Sequence, residues 1–429
     1  MTTSARRVRG SAIARCALLV VAVLSIPALP AHAGDCDNTS EGFKPLTDLG
    51  AGTYRGHQGG LYPGGTNKRP AGHTTMGVGL ARSYVVPRDA AGKPDAGGKL
   101  AFLSVGMSNA EREFDQFVTV ADDDPIKSRR VVVVNGAQAG MEAGEVAAPR
   151  GRYWSVVDER LGAAGVTPQQ VGAIWLKETD GSPNLPFEAH IEKLENDLAT
   201  IVQAAKERFP NLWIVYVSTR TYGGYALTKV SPEPWAYQDG FAAKGLIERQ
   251  LSGTLSVGSD SAPWLSWGPY MWADGTVRRS DGLRWLCSDF VRDGVHPSRT
   301  GTAKVSGLLL KFLHSDGTAK LWYTGKGQTP TAGLPSALLS TPSPSGSPAS
   351  SPTATPTDTA TPGGSQAAAP KGSSGPGWTP FLLGLAPLGA LVAYRFLRRS
   401  RSPNGPNDPA DANANTTITD RRHPGGSER

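Results

Sequence analysis

The chain has 429 residues, with 44 lysines and arginines, 37 aspartates and glutamates, and a formal net charge of +7 at pH 7. The excess positive charge lies at the ends: residues 1–33 have four arginines and no acidic residue, and residues 395–429 have seven arginines and four acidic residues. Residues 34–394 are formally neutral, so the charge gives no reason to expect a nucleic-acid partner.

The first 33 residues have the organisation of a secretory signal peptide. Arg6, Arg7 and Arg9 precede an apolar run, and the sequence AHA at 31–33 provides a small-residue cleavage site. We therefore expect residues 1–33 to be removed on export and the rest of the domain to fold outside the cytoplasm. An uncleaved signal anchor is the alternative.

Three cysteines occur, and Cys16 would leave with the signal peptide. Cys36 and Cys287 remain, and an even number of cysteines in an oxidising compartment favours a disulfide between them. The alternative is one buried and one exposed free thiol. Two cysteines this far apart do not make a zinc site, so we expect no metal.

Residues 34–99 are rich in glycine and show no regular periodicity. We expect an irregular segment that packs on the domain that follows it. His57 and His73 lie in this segment, and a structural or surface role is expected for each rather than a role as a ligand.

Residues 100–324 alternate short, β-branched apolar runs with helical patterns. The apolar runs are too hydrophobic to leave one face in water, which favours a parallel sheet covered by helices on both sides. The predicted fold class is α/β: a three-layer α/β/α sandwich with a mainly parallel, doubly wound (flavodoxin-like) sheet of about five strands. Strands are expected at 100–105, 131–135, 171–176, 212–217 and 264–267, and helices at 110–119, 152–164, 187–207, 235–252 and 300–314.

Ser108 lies where the first of these strands gives way to a helix. Ser108 and Glu111 fit a capping box, in which each side chain satisfies a backbone N–H at the start of the helix. Ligands of doubly wound folds bind beyond the carboxyl ends of the strands, so the position also suits a nucleophile. The two roles are compatible, because the positive end of the helix dipole would stabilise a developing oxyanion.

A base and its orienting group are available near the other end of the domain. Asp293 and His296 are three residues apart on a turn that contains Gly294 and Pro297, just before the last helix. On a loop, this spacing lets the carboxylate hold one imidazole nitrogen while the other nitrogen faces a serine hydroxyl. A neutral imidazole deprotonates serine well near neutral pH. A turn-capping aspartate and a packed loop histidine are the alternatives.

The runs GMSN at 106–109 and DGVHP at 293–297 resemble the first and last sequence blocks of the SGNH (GDSL-type) hydrolases. Within that superfamily they are most similar to the sialate-O-acetylesterase-like, carbohydrate-esterase branch. The resemblance covers about residues 100–314 and implies the three-layer sandwich and an esterase activity that needs no cofactor.

The resemblance also implies roles for individual residues. Ser108 would attack an ester carbonyl, His296 would take its proton, and Asp293 would orient the imidazole. Asn109 matches the family's residue after the serine, and we expect it to have only a supporting role.

Ester hydrolysis also needs an oxyanion hole of N–H donors. The backbone N–H of Ser108, at the start of a helix, is one expected donor. The run after the second strand resembles the family's second block and implies a glycine donor, with Gly140 preferred to Gly136; ordinary turn glycines are the alternative. The third strand departs from the family pattern, because Lys177 stands at the usual glutamine position. Lys177, Asn184 or a backbone amide is left as the third donor.

The C-terminal part predicts a membrane tether. Residues 325–377 are rich in proline, serine and threonine, which predicts an extended, solvated linker. The apolar run within 378–397 is long enough to cross a bilayer, and the arginines that end it predict a cytoplasmic tail at 398–429. The sequence thus predicts a single-pass protein of the cell membrane with its N-terminal domain outside.

Together these features predict a membrane-tethered serine esterase that acts on acyl esters, with acylated glycans among the expected partners. The alternative is a surface domain that keeps the fold without activity and binds a glycan or a protein. Aromatic side chains near the DxxH run would stack on sugars in that case, although we expect them in the core and cleft wall: Trp264, Trp267, Trp272 and Trp285.

Overall fold

The computed structural model describes residues 1–2, 34–258 and 260–330. The predicted signal peptide beyond residue 2, the linker beyond residue 330, the apolar run at 378–397 and the tail at 398–429 lie outside the described residues. Within the part that is described, no helix is both long enough and apolar enough to cross a membrane.

The central sheet has the predicted parallel architecture. The strands are β1 (Thr53–Tyr54), β2 (His57–Gln58), β3 (Leu100–Gly106), β4 (Val131–Asn135), β5 (Val171–Lys177), β6 (Ile214–Val217) and β7 (Trp264–Trp267). Strands β1 and β2 form a small antiparallel hairpin, and the other five, all parallel, form the main sheet in the spatial order β4-β3-β5-β6-β7. This is the flavodoxin-like order, in which ligands bind beside the first strand of the sheet, where the strand order reverses.

Helices cover both faces of the sheet. The described helices are α1 (Leu46–Leu49), α2 (Ala71–Ser83), α3 (Ser108–Asp122), α4 (Ala143–Val146), α5 (Arg152–Ala163), α6 (Phe187–Arg208), α7 (Trp235–Leu251), α8 (Arg299–Ser315) and α9 (Ala319–Thr324). The sheet runs from β3 to β4 in one direction and from β3 through β5 and β6 to β7 in the other. Because crossovers between parallel strands are right-handed, α3 lies on one face of the sheet and α5, α6 and α7 lie on the other. The prediction of a three-layer α/β/α sandwich is confirmed.

Aromatic contacts hold the layer that contains α3 and α8 against the sheet. Phe114 of α3 stacks on Trp175 of β5, and Phe312 of α8 contacts Tyr216 of β6 edge to face. All residues of β3 and β5 are buried. Because burial of each large apolar side chain contributes roughly 1.5–3 kcal/mol, the carboxyl ends of these two strands are firmly placed.

Residues 34–99 contain more regular structure than the sequence pattern predicted. Helix α2 has 13 residues, and its glycines hide it from a periodicity argument. Gly77 is needed for packing, since a Cβ there would lie 2.4 Å from the ring of Trp264. His73 lies at the same interface, where its Nε2 is 2.7 Å from the Leu265 carbonyl oxygen. The imidazole of His73 therefore has a structural role, as expected.

Candidate active site

Ser108 is the first residue of helix α3 and follows strand β3 after a single intervening residue. That residue, Met107, is extended and turns the chain from sheet into helix. Gly106 permits the junction, because a Cβ there would lie 2.3 Å from the Lys177 carbonyl oxygen and 2.5 Å from the Ala110 side chain. The Ser108 hydroxyl is thereby placed at the carboxyl end of the sheet.

The predicted capping box between Ser108 and Glu111 does not form. Helix α3 begins without a side-chain cap, and the cap position belongs to the residue before Ser108. The Glu111 carboxylate accepts hydrogen bonds from the Ala139 N–H at 2.9 Å and from Arg160 at 3.0 Å. The prediction was wrong because both side chains have tertiary partners: the Ser108 hydroxyl is hydrogen-bonded to His296.

Asp293 and His296 lie on a tight turn before α8, here called the histidine turn (residues 291–297). Asp293 Oδ1 accepts the N–H groups of Val295 at 2.8 Å and His296 at 2.9 Å, so the carboxylate shapes the turn that displays the imidazole. Gly294 has φ +69°, and a Cβ on it would lie 1.7 Å from the Tyr225 carbonyl oxygen. A side chain at Gly294 would therefore displace the turn.

Ser108, His296 and Asp293 form one hydrogen-bonded chain. His296 Nε2 is 2.9 Å from Ser108 Oγ, although the two residues are 188 positions apart, and His296 Nδ1 is 2.6 Å from Asp293 Oδ2. Partial burial raises the pKa of Asp293. Hydrogen bonds from the His296 side chain and from the N–H groups of His296 and Val295 lower that pKa by a larger amount, so it lies below its ordinary value. Asp293 is therefore an ionised acceptor for the Nδ1 proton.

Two of the three residues considered as backbone donors for an oxyanion are suitably placed. Ser108 is the first residue of α3, where the backbone N–H has no partner within the helix, and Gly140, with φ +74°, lines the same cavity. No hydrogen bond of the Gly140 N–H is found within the described part of the chain. Gly136 does not fit the role, because its N–H donates to Ser104 Oγ at 3.1 Å.

The side chains considered as third donors are engaged elsewhere. Lys177 Nζ lies 2.6 and 2.5 Å from the two carboxylate oxygens of Glu113, and this buried pair points into the layer of α3. Asn184 is exposed and does not line the cavity at Ser108. Asn109 Nδ2 donates to the Val295 carbonyl oxygen at 2.9 Å, so this side chain contacts the histidine turn.

A cavity of about 600 Å³ opens over Ser108 and His296. Met107, Ala139 and Val230 contribute apolar surface to its lining, and four of its other side chains are ionisable. Sequence reasoning missed these residues because they come from α3, α4 and loops that meet only in the folded chain. The remaining lining residues are Glu111, Arg112, Gly140, Glu142, Glu145, Gly181 and Ser182.

A buried polar network lies beneath the cavity, at the end of β5. Thr179 Oγ1 donates to Asp239 Oδ2 at 2.5 Å, and His190 Nε2 lies 3.1 Å from Asp239 Oδ1. Burial raises the pKa of Glu178 well above its usual range. These residues do not line the cavity.

Two further expectations concern residues near the histidine turn. A disulfide joins Cys36 to Cys287, with 5.4 Å between the Cα atoms, and so attaches the chain near residue 36 to the region just before the turn. The aromatic side chains discussed as a sugar platform are all buried, which places them in the core: Trp264, Trp267, Trp272 and Trp285.

No protein-family model and no curated protein matches the chain. Among solved structures, a Bacillus subtilis protein gives a TM-score of 0.32 at 13% sequence identity. The match covers 52% of this chain and 58% of that protein. A carbohydrate esterase family 3 enzyme from Talaromyces cellulolyticus gives a TM-score of 0.31 at 12% sequence identity, and the match covers 50% of this chain and 97% of that enzyme. A putative acylhydrolase from Bacteroides fragilis gives a TM-score of 0.31 at 11% sequence identity, and the match covers 59% of this chain and 100% of that protein. The activities named for these proteins belong to those proteins.

Proposed function

We propose that the chain is an extracytoplasmic, membrane-tethered serine esterase that hydrolyses short acyl esters, O-acetyl esters foremost, through an acyl-enzyme on Ser108. The observation that supports this most directly is the hydrogen-bonded chain from Ser108 through His296 to Asp293. A nucleophile, a base and an orienting carboxylate in this order are what acyl transfer by serine requires.

In the first half-reaction the Ser108 oxygen bonds to the ester carbonyl carbon while its proton passes to His296 Nε2. Asp293 keeps the other imidazole proton on Nδ1 and stabilises the imidazolium that results. The carbonyl oxygen becomes an oxyanion, which the N–H groups of Ser108 and Gly140 stabilise. The tetrahedral intermediate then collapses, and His296 returns the proton to the departing alcohol.

The second half-reaction repeats these steps with water. His296 Nε2 removes a proton from a water molecule, whose oxygen adds to the acyl carbonyl on Ser108. The ester bond to Ser108 then breaks, the serine oxygen regains its proton from His296, and a carboxylic acid leaves. No cofactor enters any step.

The cavity favours a small acyl group on a polar alcohol. Ionisable side chains, among them Arg112 and Glu142, border Ser108, and desolvating them against a long acyl chain would be unfavourable. A glycan hydroxyl offers donors and acceptors that match such a lining. The runs at 106–109 and 293–297, which contain the three site residues, support an affiliation with the SGNH hydrolases and, within them, with the sialate-O-acetylesterase-like, carbohydrate-esterase branch.

The proposed location rests on sequence features and on one structural feature. The signal-like residues 1–33 and the apolar run at 378–397 support export and a single membrane span. The disulfide between Cys36 and Cys287 supports folding in an oxidising compartment.

Active-site labelling tests the proposal. The full-length protein, solubilised from membranes, is treated with a fluorophosphonate, and the modified peptide is mapped; we expect the label on Ser108. Turnover of p-nitrophenyl acetate is then compared between the wild type and Ser108→Ala. Equal rates, with no label on Ser108, would refute the esterase and favour the non-catalytic binding protein.

A further inference from the structure

The first residues after the predicted cleavage site lie against the histidine turn. We call residues 34–42 the N-terminal segment. Within it, the Gly34 N–H donates to the Arg292 carbonyl oxygen at 2.8 Å, and the Asp35 N–H donates to the Tyr225 carbonyl oxygen at 2.9 Å. Arg292 is the residue before Asp293, so this contact reaches the backbone that positions the orienting carboxylate.

The packing at this contact is close. Gly34 has φ +82°, and a Cβ on it would lie 2.8 Å from the Tyr225 carbonyl oxygen and 3.0 Å from Gly294 Cα. Gly294 itself packs on the same carbonyl oxygen. Gly34 and Gly294, from opposite ends of the domain, therefore both pack against the Tyr225 carbonyl oxygen. Displacement of one glycine would leave space into which the other could move.

The N-terminal segment is itself anchored at two places that follow this contact in the chain. Cys36 is linked covalently to Cys287, and further along, the N–H groups of Glu41 and Gly42 donate to the Asp274 carboxylate at 2.7 and 3.0 Å. The segment can therefore transmit a restraint to the histidine turn rather than simply follow its movements.

We propose that the N-terminal segment positions the histidine turn, and that the disulfide of Cys36 and Cys287 makes turnover depend on the oxidised state of the chain. This inference rests on the proposed esterase function. The segment restrains the outer side of the turn, while Asn109 restrains the inner side through the Val295 carbonyl. The geometry of a catalytic base must be held to about 0.5 Å, and restraints on both sides of the turn contribute to that precision.

Processing at the predicted site fits this arrangement. A cut between Ala33 and Gly34 turns the nitrogen that contacts Arg292 into an α-ammonium group, which still has protons to donate to that carbonyl. The exported, oxidised chain is therefore the form in which the base is correctly placed. A reduced chain in the cytoplasm would have little activity toward acyl esters there.

The test is the double variant Cys36→Ser/Cys287→Ser in the full-length protein. We expect kcat to fall about tenfold to a hundredfold, the scale of a 1 Å misplacement, while KM for p-nitrophenyl acetate changes less than about twofold. The pH profile of kcat/KM should also shift, because the imidazole loses its constant contact with Asp293. Asp37→Ala is the matched control, since Asp37 is exposed and its carboxylate makes no hydrogen bond among the described residues.

Reduction of the wild type provides a second measurement. Dithiothreitol gives two electrons and two protons to the disulfide and becomes a cyclic disulfide, leaving thiols on Cys36 and Cys287. We expect kcat to fall as in the double variant and to recover when the bond is re-formed by oxidised glutathione. If the double variant does not fold, Gly34→Val decides, because it keeps the disulfide and disturbs the contact of the segment with Tyr225, Arg292 and Gly294.

The outcomes separate the two proposals. Suppose that the wild type is labelled on Ser108 and turns over substrate. An unchanged kcat and pH profile in the double variant or in Gly34→Val would then overturn this inference alone. A wild type without label or turnover would refute the esterase and this inference with it.

Discussion

Ser108 and His296 contribute the two reacting groups of the candidate site, and different kinds of contact place them. Ser108 follows directly from β3, whose residues are buried in the middle of the sheet. His296 lies outside the sheet on the histidine turn, which is held by contacts from α3, from Tyr225 and from the N-terminal segment.

This difference indicates which half of the site can be altered separately. The position of Ser108 is a property of the sheet, so a change there alters the stability of the whole domain. The position of His296 depends on a few hydrogen bonds and two glycines, so changes there should lower activity with less effect on unfolding. The predictions below test this division.

The largest effect is expected when either reacting group is removed. Ser108→Ala and His296→Ala should each lower kcat/KM at least about 10³-fold, and the double variant should be no worse than the single ones, because the two groups act as a unit. Steady-state hydrolysis of p-nitrophenyl acetate measures this. A His296→Ala variant with a tenth or more of wild-type activity would show that the turn does not supply the base.

Gly294→Ala should separate activity from stability. The added Cβ meets the Tyr225 carbonyl oxygen and displaces the turn, so we expect a loss in kcat of about 100-fold, as for a 1 Å misplacement. Gly253→Ala is the matched control, since Gly253 also has a positive φ, +84°, but no atom lies near its Cβ position. Equal kcat values for the two variants would contradict the division between sheet and turn.

The same division describes how much the sequence predicted. The strands and main helices follow from local apolar periodicity, and each predicted one is present with ends shifted by a few residues. The prediction of a capping box at Ser108 was wrong because it considered only neighbouring residues, whereas the Ser108 hydroxyl is hydrogen-bonded to a histidine 188 positions away. Helix α2 was missed because Gly77 lowers helix propensity. The glycine is needed there because the Trp264 ring packs against it, and this contact exists only in the folded chain.

The third oxyanion donor could not be predicted for a related reason. Lys177 follows the apolar run of β5, where a side chain near the nucleophile was expected. Its ammonium instead pairs with Glu113, because a buried charge without a partner is strongly unfavourable. The sequence contains both residues but nothing that shows them to be neighbours.

Asn109→Ala should have a smaller effect than Gly294→Ala. It removes the hydrogen bond to the Val295 carbonyl but adds no atom that displaces the turn. A hydrogen bond of about 1 kcal/mol corresponds to roughly a fivefold fall in kcat. Asn211→Ala is the control, since Asn211 makes a comparable contact with Gln169 at the opposite end of the sheet. A fall of 100-fold or more would mean that Asn109 acts on the reaction itself.

The smallest effect is expected in the acid stability of the histidine turn. The pKa of Asp293 lies below its ordinary value of about 3.8, because hydrogen bonds from His296 and Val295 outweigh the effect of burial. The ionised carboxylate therefore stabilises the folded state above the ordinary pKa, and this contribution is lost as the pH falls through the lowered pKa. Asp293→Asn removes it.

Urea unfolding between pH 3 and 7 measures that contribution. The difference in free energy of unfolding between the wild type and Asp293→Asn should shrink as the pH falls from 5 to 3. It should be small, since the Asp293 side chain is 33% exposed and solvent screens its interactions. A difference that grows toward low pH would mean that the folded state favours the protonated acid, in which case Asp293 would not be the ionised partner that holds the imidazole.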